Sequence, residues 1–277
     1  MLQCARDLDM HVTNLITGTT PGVIHRNGNP PEWQSQWQQA VARFFEETPE
    51  STGPIPELTV LTWNNRRTKS LLERCLDHWG ASYLTLGKQL PKWRHDMKVY
   101  LNAEALAHVT SEYVMALDAD DVLVIAPLRR VIAEFQSFDC EILFGGEKNS
   151  YPEVPYLADF ERSIAESAYC HLNSGAWIGR TDACRRFFKD CLREHHHDLV
   201  AAHPSRHVLR DDQGLTRKTF RRYYPAARLD YHCRVFQSLY NAVPDTEVLI
   251  SEIARPQRQV QAPVPRVGGA APSDGSE

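Results

Sequence analysis

The sequence predicts an α/β protein with a mixed, mostly parallel sheet and helices on both faces. Three observations carry this. Between Leu58 and Ile250, apolar strand-like runs alternate with segments of helical periodicity, the pattern of a sheet covered by its own crossovers. Hydrophobic residues make up 42% of the 277, enough for a sizeable core. The apolar run Tyr113 to Leu117 stops abruptly at Asp118-Ala119-Asp120-Asp121, and sheets of this kind bind ligands beyond the carboxyl ends of their strands.

The elements follow in order. Gly22 to Gly28 is a short apolar strand running into a polar turn. Pro31 to Phe45 is an amphipathic helix with Trp33, Trp37, Ala40, Val41 and Phe44 on one stripe. Residues 1–45 are too short for a domain and are expected to pack on the main body. Residues 46–56, rich in Glu, Pro, Ser and Gly, read as a linker. The main domain, 57–254, opens with a strand, Leu58 to Trp63. A helix from Thr68 to Trp79 places Leu71, Leu72, Cys75, Leu76 and Trp79 at helical spacing. A short strand, Ser82 to Leu86, and a helix, Lys92 to His108, precede the Tyr113 to Leu117 strand. Pro127 opens a helix to Phe135, since proline suits the first helical turn. Cys140 to Phe144 is a strand halted by Gly145-Gly146. A polar turn, Asn173-Ser174-Gly175, leads into a further apolar strand. Thr181 to His195 is a helix with Thr181 or Asp182 as its cap, Asp211 to Arg222 another, and Glu247 to Ile250 the last strand. The Pro-, Gly-, Ala-, Ser- and Gln-rich tail, 255–277, is expected to be disordered.

Composition narrows the function. The net charge of -4 offers no basic field for nucleic acid. No apolar run approaches the roughly 18 residues of a membrane span, and Met-Leu-Gln-Cys-Ala-Arg-Asp is not a signal peptide. The 7 cysteines include no CxxC pair, which argues for reduced thiols over a zinc site or a disulfide framework. A soluble, cytoplasmic protein is expected.

The chemistry gathers at a few places. Buried carboxylates are costly unless paired or bound to a cation, so Asp118, Asp120 and Asp121 suit a cleft holding a hard divalent ion. Strand alternation directs Asp118 and Asp120 to one side. A turn after Ala119 would instead bring Asp121 back beside Asp118, and the residues leave both pairings open. Helix-capping or solvated-turn aspartates are the bland alternative. Thr62 falls at a neighbouring strand end. Asn173 offers a donor and an acceptor to sugar hydroxyls, and Gly175 lets the backbone approach a ligand closely. Arg210-Asp211-Asp212-Gln213 reads either as capping or as sugar recognition with a catalytic carboxylate. His25 ends a short strand before Asn27-Gly28 and is a candidate metal ligand, in competition with His232. His195-His196-His197 reads as a solvated helix end.

In sequence, these motifs resemble the glycosyltransferase domain of the procollagen lysyl hydroxylase and procollagen glycosyltransferase family. The resemblance spans most of Leu58 to Ile250. It rests on Val114-Met115-Ala116-Leu117-Asp118-Ala119-Asp120-Asp121-Val122, on Leu143-Phe144-Gly145-Gly146-Glu147 with Tyr151-Pro152, on Leu172-Asn173-Ser174-Gly175-Ala176-Trp177-Ile178-Gly179, on Asp211-Asp212-Gln213, and on Leu229-Asp230 through Val235-Phe236-Gln237. It implies the GT-A (nucleotide-diphospho-sugar transferase) fold and Mn²⁺, with Mg²⁺ as the alternative, held by Asp118 and Asp121. It also implies a donor site drawing on Thr62, Trp93, Lys98, Asp120, Glu147, Asn173, Ser174, Gly175 and Gln213. Asp120 stands where the family carries an aromatic, and Tyr151 where it carries a tryptophan.

The family's third metal ligand is a histidine in a His-x-Asn-Gly element after the last strand. Here the chain after Ile250 contains no histidine, while His25-Arg26-Asn27-Gly28 stands near the start. The resemblance therefore implies a circular permutation, with His25 completing the metal site and Asn27 and Gly28 on the donor. The implied activity is transfer of glucose or galactose from a UDP-sugar to an acceptor hydroxyl on a protein or glycan, with Asp211 or Asp212 as the catalytic carboxylate. A non-catalytic nucleotide-sugar or carbohydrate-binding module is the alternative. A phosphoryl-transfer enzyme would share the acidic cluster, but the chain has no P-loop signature.

Overall fold

The computed structural model describes residues 10–46, 53–203 and 208–252. Cys4, most of the expected linker and the expected tail lie outside the described residues. In chain order the strands are β1 (Met10–Asn14), β2 (Val23–His25), β3 (Leu58–Trp63), β4 (Tyr83–Leu86), β5 (Tyr113–Leu117), β6 (Val122–Val124), β7 (Ile142–Glu147), β8 (His171–Arg180), β9 (Ala227–Asp230), β10 (Phe236–Ser238) and β11 (Val248–Glu252). The helices are α1 (Gln34–Glu46), α2 (Leu71–His78), α3 (Met97–Leu106), α4 (Leu128–Gln136), α5 (Pro155–Ser163), α6 (Thr181–Cys191), α7 (His197–Ala202) and α8 (Asp212–Tyr223).

The central sheet has six strands in the order β4-β3-β5-β8-β7-β9. Strands β4, β3 and β5 are parallel, as are β7 and β9, while β8 runs antiparallel to both of its neighbours. Period-two alternation on β5 explains the two cores. Tyr113, Met115 and Leu117 point into one, built with α1, α2 and α4. Val114 and Ala116 point into the other, built with α3, α5, α6 and α8. Helix α2 starts on a reciprocal cap: Ser70 Oγ accepts from the Glu73 backbone N–H at 3.2 Å, and Glu73 Oε2 accepts from the Ser70 N–H at 2.7 Å. Such a cap contributes about 1 kcal/mol.

A smaller sheet, β10-β2-β6, stands beside the acidic strand end, with β2 parallel to β10 and antiparallel to β6. Strand β1 pairs antiparallel with β11, placing Met10 opposite Glu252. Helix α1 buries Trp37, Ala40 and Phe44, and Trp33 just before it is also buried. The opening segment is therefore woven into the body by two strands and a helix.

Four local expectations are corrected. Asn173-Ser174-Gly175 is not a turn but lies inside the ten-residue β8. Its polar side chains are tied within the site, so polarity there marks a cleft, not a loop. Gly145-Gly146 does not halt β7; the strand continues to Glu147 across a register shift after Phe144. Helix α3 begins at Met97 and not Lys92, which frees residues 92–96 as a loop. Helix α6 ends at Cys191, before the histidine triplet.

Candidate functional site

β5 ends at Leu117, and the Asp118 backbone N–H donates to the Gly175 carbonyl of β8 at 2.8 Å. The chain then bends through 119–121 before β6. The Arg26 N–H donates to the Asp121 carbonyl at 2.8 Å, and β2 pairs His25 with Val122. These backbone bonds bring the imidazole and the acidic tip together. His25 Nε2 lies 3.6 Å from Asp118 Oδ2 and 3.4 Å from Asp121 Oδ1, and one ligand atom of each residue falls within 4.8 Å of the others.

His25 Nε2 is buried and, among the described residues, has no hydrogen-bond partner. Burial opposes a charged ring there, but Asp121 and Asp118 overcome it and raise the pKa above its ordinary value. The spot thus favours positive charge. Ligands of a small divalent ion sit roughly 3 Å apart in octahedral geometry, so the observed separations fit after a slight contraction. Two carboxylates and an imidazole suit Mn²⁺ or Mg²⁺. A Cβ on Gly175 would run into the Asp118 carboxylate and reach 2.7 Å from His25 Cε1, so only glycine leaves this cradle open.

Lys98, on the first turn of α3, donates to Asp118 Oδ1 at 2.5 Å and lies 3.8 Å from Asp212 Oδ2. Its ammonium also sits 5.0 Å above the Trp63 ring. Burial alone would discharge it; Asp118 and Asp212 prevail and hold its pKa above the usual lysine value.

Glu147, at the end of β7, accepts from Asn27 Nδ2 at 2.5 Å and from Gln213 Nε2 at 2.6 Å. Gln213 Nε2 also reaches the Tyr151 carbonyl at 2.8 Å. Gln213 Oε1 accepts from the Ser174 N–H at 3.1 Å, and Ser174 Oγ donates to Asp212 Oδ2 at 2.8 Å. Asn173 Oδ1 accepts from the Gly175 N–H at 2.9 Å. Burial outweighs the amide hydrogen bonds and pushes Glu147 up to about 7. Asp211 caps α8, its Oδ1 accepting from the Gln213 N–H at 2.8 Å. Burial and the neighbouring Asp212 push its carboxyl up to about 7, and its Oδ2 is buried with no hydrogen-bond partner among the described residues.

These groups line one cleft of about 750 Å³. It gathers His25, Asn27, Gly28, Trp93, Lys98, Asp118, Asp121, Glu147, Asn173, Ser174, Gly175, Asp211, Asp212 and Gln213. Two expected donor contacts are absent from its wall. Thr62 is fully buried, its hydroxyl donating to the Leu117 carbonyl at 3.0 Å. Asp120 turns outward at the bend and pairs with exposed Arg66. Of the two pairings the residues left open, the structure has Asp118 with Asp121. His232 pairs with Glu166 on the surface, away from the cleft. Arg94, His95, Asn149 and Tyr240 also line the cleft and were not anticipated. Arg94 and His95 fall in the stretch whose pattern predicts a helix, and Tyr240 carries no local signal beyond following β10.

The PLOD GT domain profile matches residues 56–263. Procollagen-lysine,2-oxoglutarate 5-dioxygenase of Drosophila melanogaster is 25% identical over 171 residues, 59% of this chain and 22% of that protein. The chain thus spans less than a quarter of that relative's length. The apo crystal structure of mouse xyloside xylosyltransferase 1 is 13% identical, covers 78% of this chain and 82% of its own, and superposes with a TM-score of 0.37. On the profile match, which takes in the whole of the main domain, the chain belongs to the PLOD GT domain family, and its α/β architecture is the GT-A glycosyltransferase fold.

Proposed function

We propose that this glycosyltransferase domain moves a hexose, glucose or galactose, from a UDP-sugar to an acceptor hydroxyl and requires Mn²⁺ or Mg²⁺. The observation that carries the reading is the convergence of His25, Asp118 and Asp121 on one unpartnered imidazole nitrogen, beside Lys98 and within the same cleft as Asp211 and Asp212. When bound, the cation supplies positive charge that stabilises a departing diphosphate. Lys98 contributes a fixed ammonium on the same side. Trp93, Asn27 and Gly28 flank the donor. Asn173, Ser174, Gly175 and Gln213 hold sugar hydroxyls with groups already oriented by their mutual hydrogen bonds, which spares reorganisation in the transition state. A carboxylate of the Asp211–Asp212 pair faces the positive character that builds at the anomeric carbon as the leaving group departs.

The opening segment is read as a circularly permuted element. The profile match begins at residue 56, yet β2, at residues 23–25, brings His25 to the acidic tip. The Met10–Glu252 pairing sets the first and last described residues side by side. A reducing, cytoplasmic setting is supported by the described cysteines, which are free thiols. Among the described residues no helix is long and apolar enough to cross a membrane.

The test is UDP release from UDP-glucose and UDP-galactose with and without Mn²⁺. Metal-dependent release, lost in His25→Ala, is the expected result. Binding of UDP without any turnover would make the domain a nucleotide-sugar-binding module instead.

A further inference from the structure

Asp118 divides its two oxygens between two claimants. Oδ2 faces His25 Nε2 at 3.6 Å, on the side proposed above for the cation. Oδ1 accepts from Lys98 Nζ at 2.5 Å. The same ammonium lies 3.8 Å from Asp212 Oδ2, which already accepts from Ser174 Oγ at 2.8 Å. Lys98 therefore joins a carboxylate of the His25–Asp118–Asp121 cluster to the Asp211–Asp212 pair.

Lys98 has little room to leave this position. It is buried in the first turn of α3, with its ammonium 5.0 Å from the centre of the Trp63 ring. That ring is itself fixed, its Nε1 donating to Asn102 Oδ1 at 3.1 Å. A lysine on an open surface can swing into water when another cation arrives; a packed one stays and repels it. Like charges held on one carboxylate oppose each other, and burial leaves them poorly screened. The ammonium also neutralises part of the negative charge on Asp118 and Asp212. Lys98 thus works against a divalent ion at the site it adjoins. A nucleotide diphosphate relieves the conflict, because its anionic oxygens accept from an ammonium and ligate a hard cation at once.

We propose that Lys98 is a specificity-determining residue that makes cation affinity conditional on the donor's diphosphate. It holds the free cleft at low affinity for the metal, and the arriving nucleotide offsets its charge. This rests on the transferase reading above and adds that the lysine opposes the metal as well as assisting the donor.

The experiment is a Mn²⁺ titration of the full chain, followed by electron paramagnetic resonance, for the wild type, Lys98→Met, Lys98→Gln and Lys98→Arg. UDP affinity is measured by calorimetry without Mn²⁺ and with it. Without nucleotide, the Met and Gln variants should bind Mn²⁺ about fivefold or more tighter than the wild type. Lys98→Arg, which keeps the charge, should not. Linkage is reciprocal, so the factor by which Mn²⁺ tightens UDP should shrink in the Met and Gln variants. A residue that merely shaped the site would move Mn²⁺ affinity the other way when replaced. Affinity equal to or below that of the wild type in both Lys98→Met and Lys98→Gln would overturn the proposal. A wild type that binds no Mn²⁺, with UDP or without it, would instead sink the metal-dependent transferase reading on which the proposal stands.

Discussion

Gly175 shows how closely single atoms set this site. A methyl group there would occupy the space between the Asp118 carboxylate and the His25 ring. Gly175→Ala is therefore expected to weaken Mn²⁺ binding about 10- to 100-fold, read by calorimetric titration, while the chain stays folded by circular dichroism. His171 supplies a pH-dependent test. Its Nδ1 lies 2.7 Å from Glu161 Oε2. Burial opposes its charge, but contacts with Cys170 and Glu161 overcome this and raise its pKa to about 9. A pKa raised by folding adds stability that is complete below the unfolded value, about 6.5, and is lost as pH climbs through the folded one. The stability gap between wild type and His171→Gln should therefore be full below about pH 6.5 and close toward pH 9 in denaturant titrations. A gap that widens with rising pH would contradict this. The same scale shows where residue-by-residue reading fell short. Asp118 and Asp121 were legible as cleft residues because carboxylates at the end of an apolar strand need a purpose, and Asn173 because its amide offers both a donor and an acceptor. Thr62 and Asp120 looked equivalent, but a carbonyl one strand away takes the Thr62 hydroxyl and the bend at 119–121 turns Asp120 to Arg66, neither of which local pattern encodes.

At the scale of elements, helix α8 carries the site and is locked from beneath. Arg217, one turn beyond Gln213, donates to Glu161 through Nε at 2.7 Å and Nη2 at 2.6 Å. It also donates to the Pro152 carbonyl at 2.6 Å and to Ser150 Oγ at 2.9 Å. Both partners of this ion pair are buried, at 0% and 1% exposure. Removing one partner of such a pair costs about 3–5 kcal/mol, whereas replacing both with apolar groups is often close to neutral. Arg217→Met should lose stability of that order, and Arg217→Met combined with Glu161→Leu should regain part of it, as measured by thermal unfolding. Equal losses in the two would show that the pair contributes nothing specific. Elements with strong periodicity, such as α1, α2 and β5, were legible from sequence alone. Strands β6, β9 and β10 were not, because three or four residues carry too little alternation to stand out. The extent of β8 was missed because its polar stretch imitates a turn.

For the whole molecule, the opening segment and the main domain make one site between them. Met10 faces Glu252 across the β1–β11 pair, so a short turn could join those ends. A rearranged chain that starts at residue 53 and continues from 252 through such a turn into residues 10–46 should fold and bind Mn²⁺ as the natural order does. Failure to fold would argue that the present order is required. The family resemblance made the missing histidine visible, but only the tertiary pairing of β2 with β6 puts His25 at the acidic tip. The most direct test of that union is a Mn²⁺ titration of the wild type and of His25→Ala, followed by electron paramagnetic resonance. The account predicts one ion per wild-type chain and an affinity loss of about 100-fold or more in the variant. Unchanged stoichiometry and affinity in His25→Ala would contradict it.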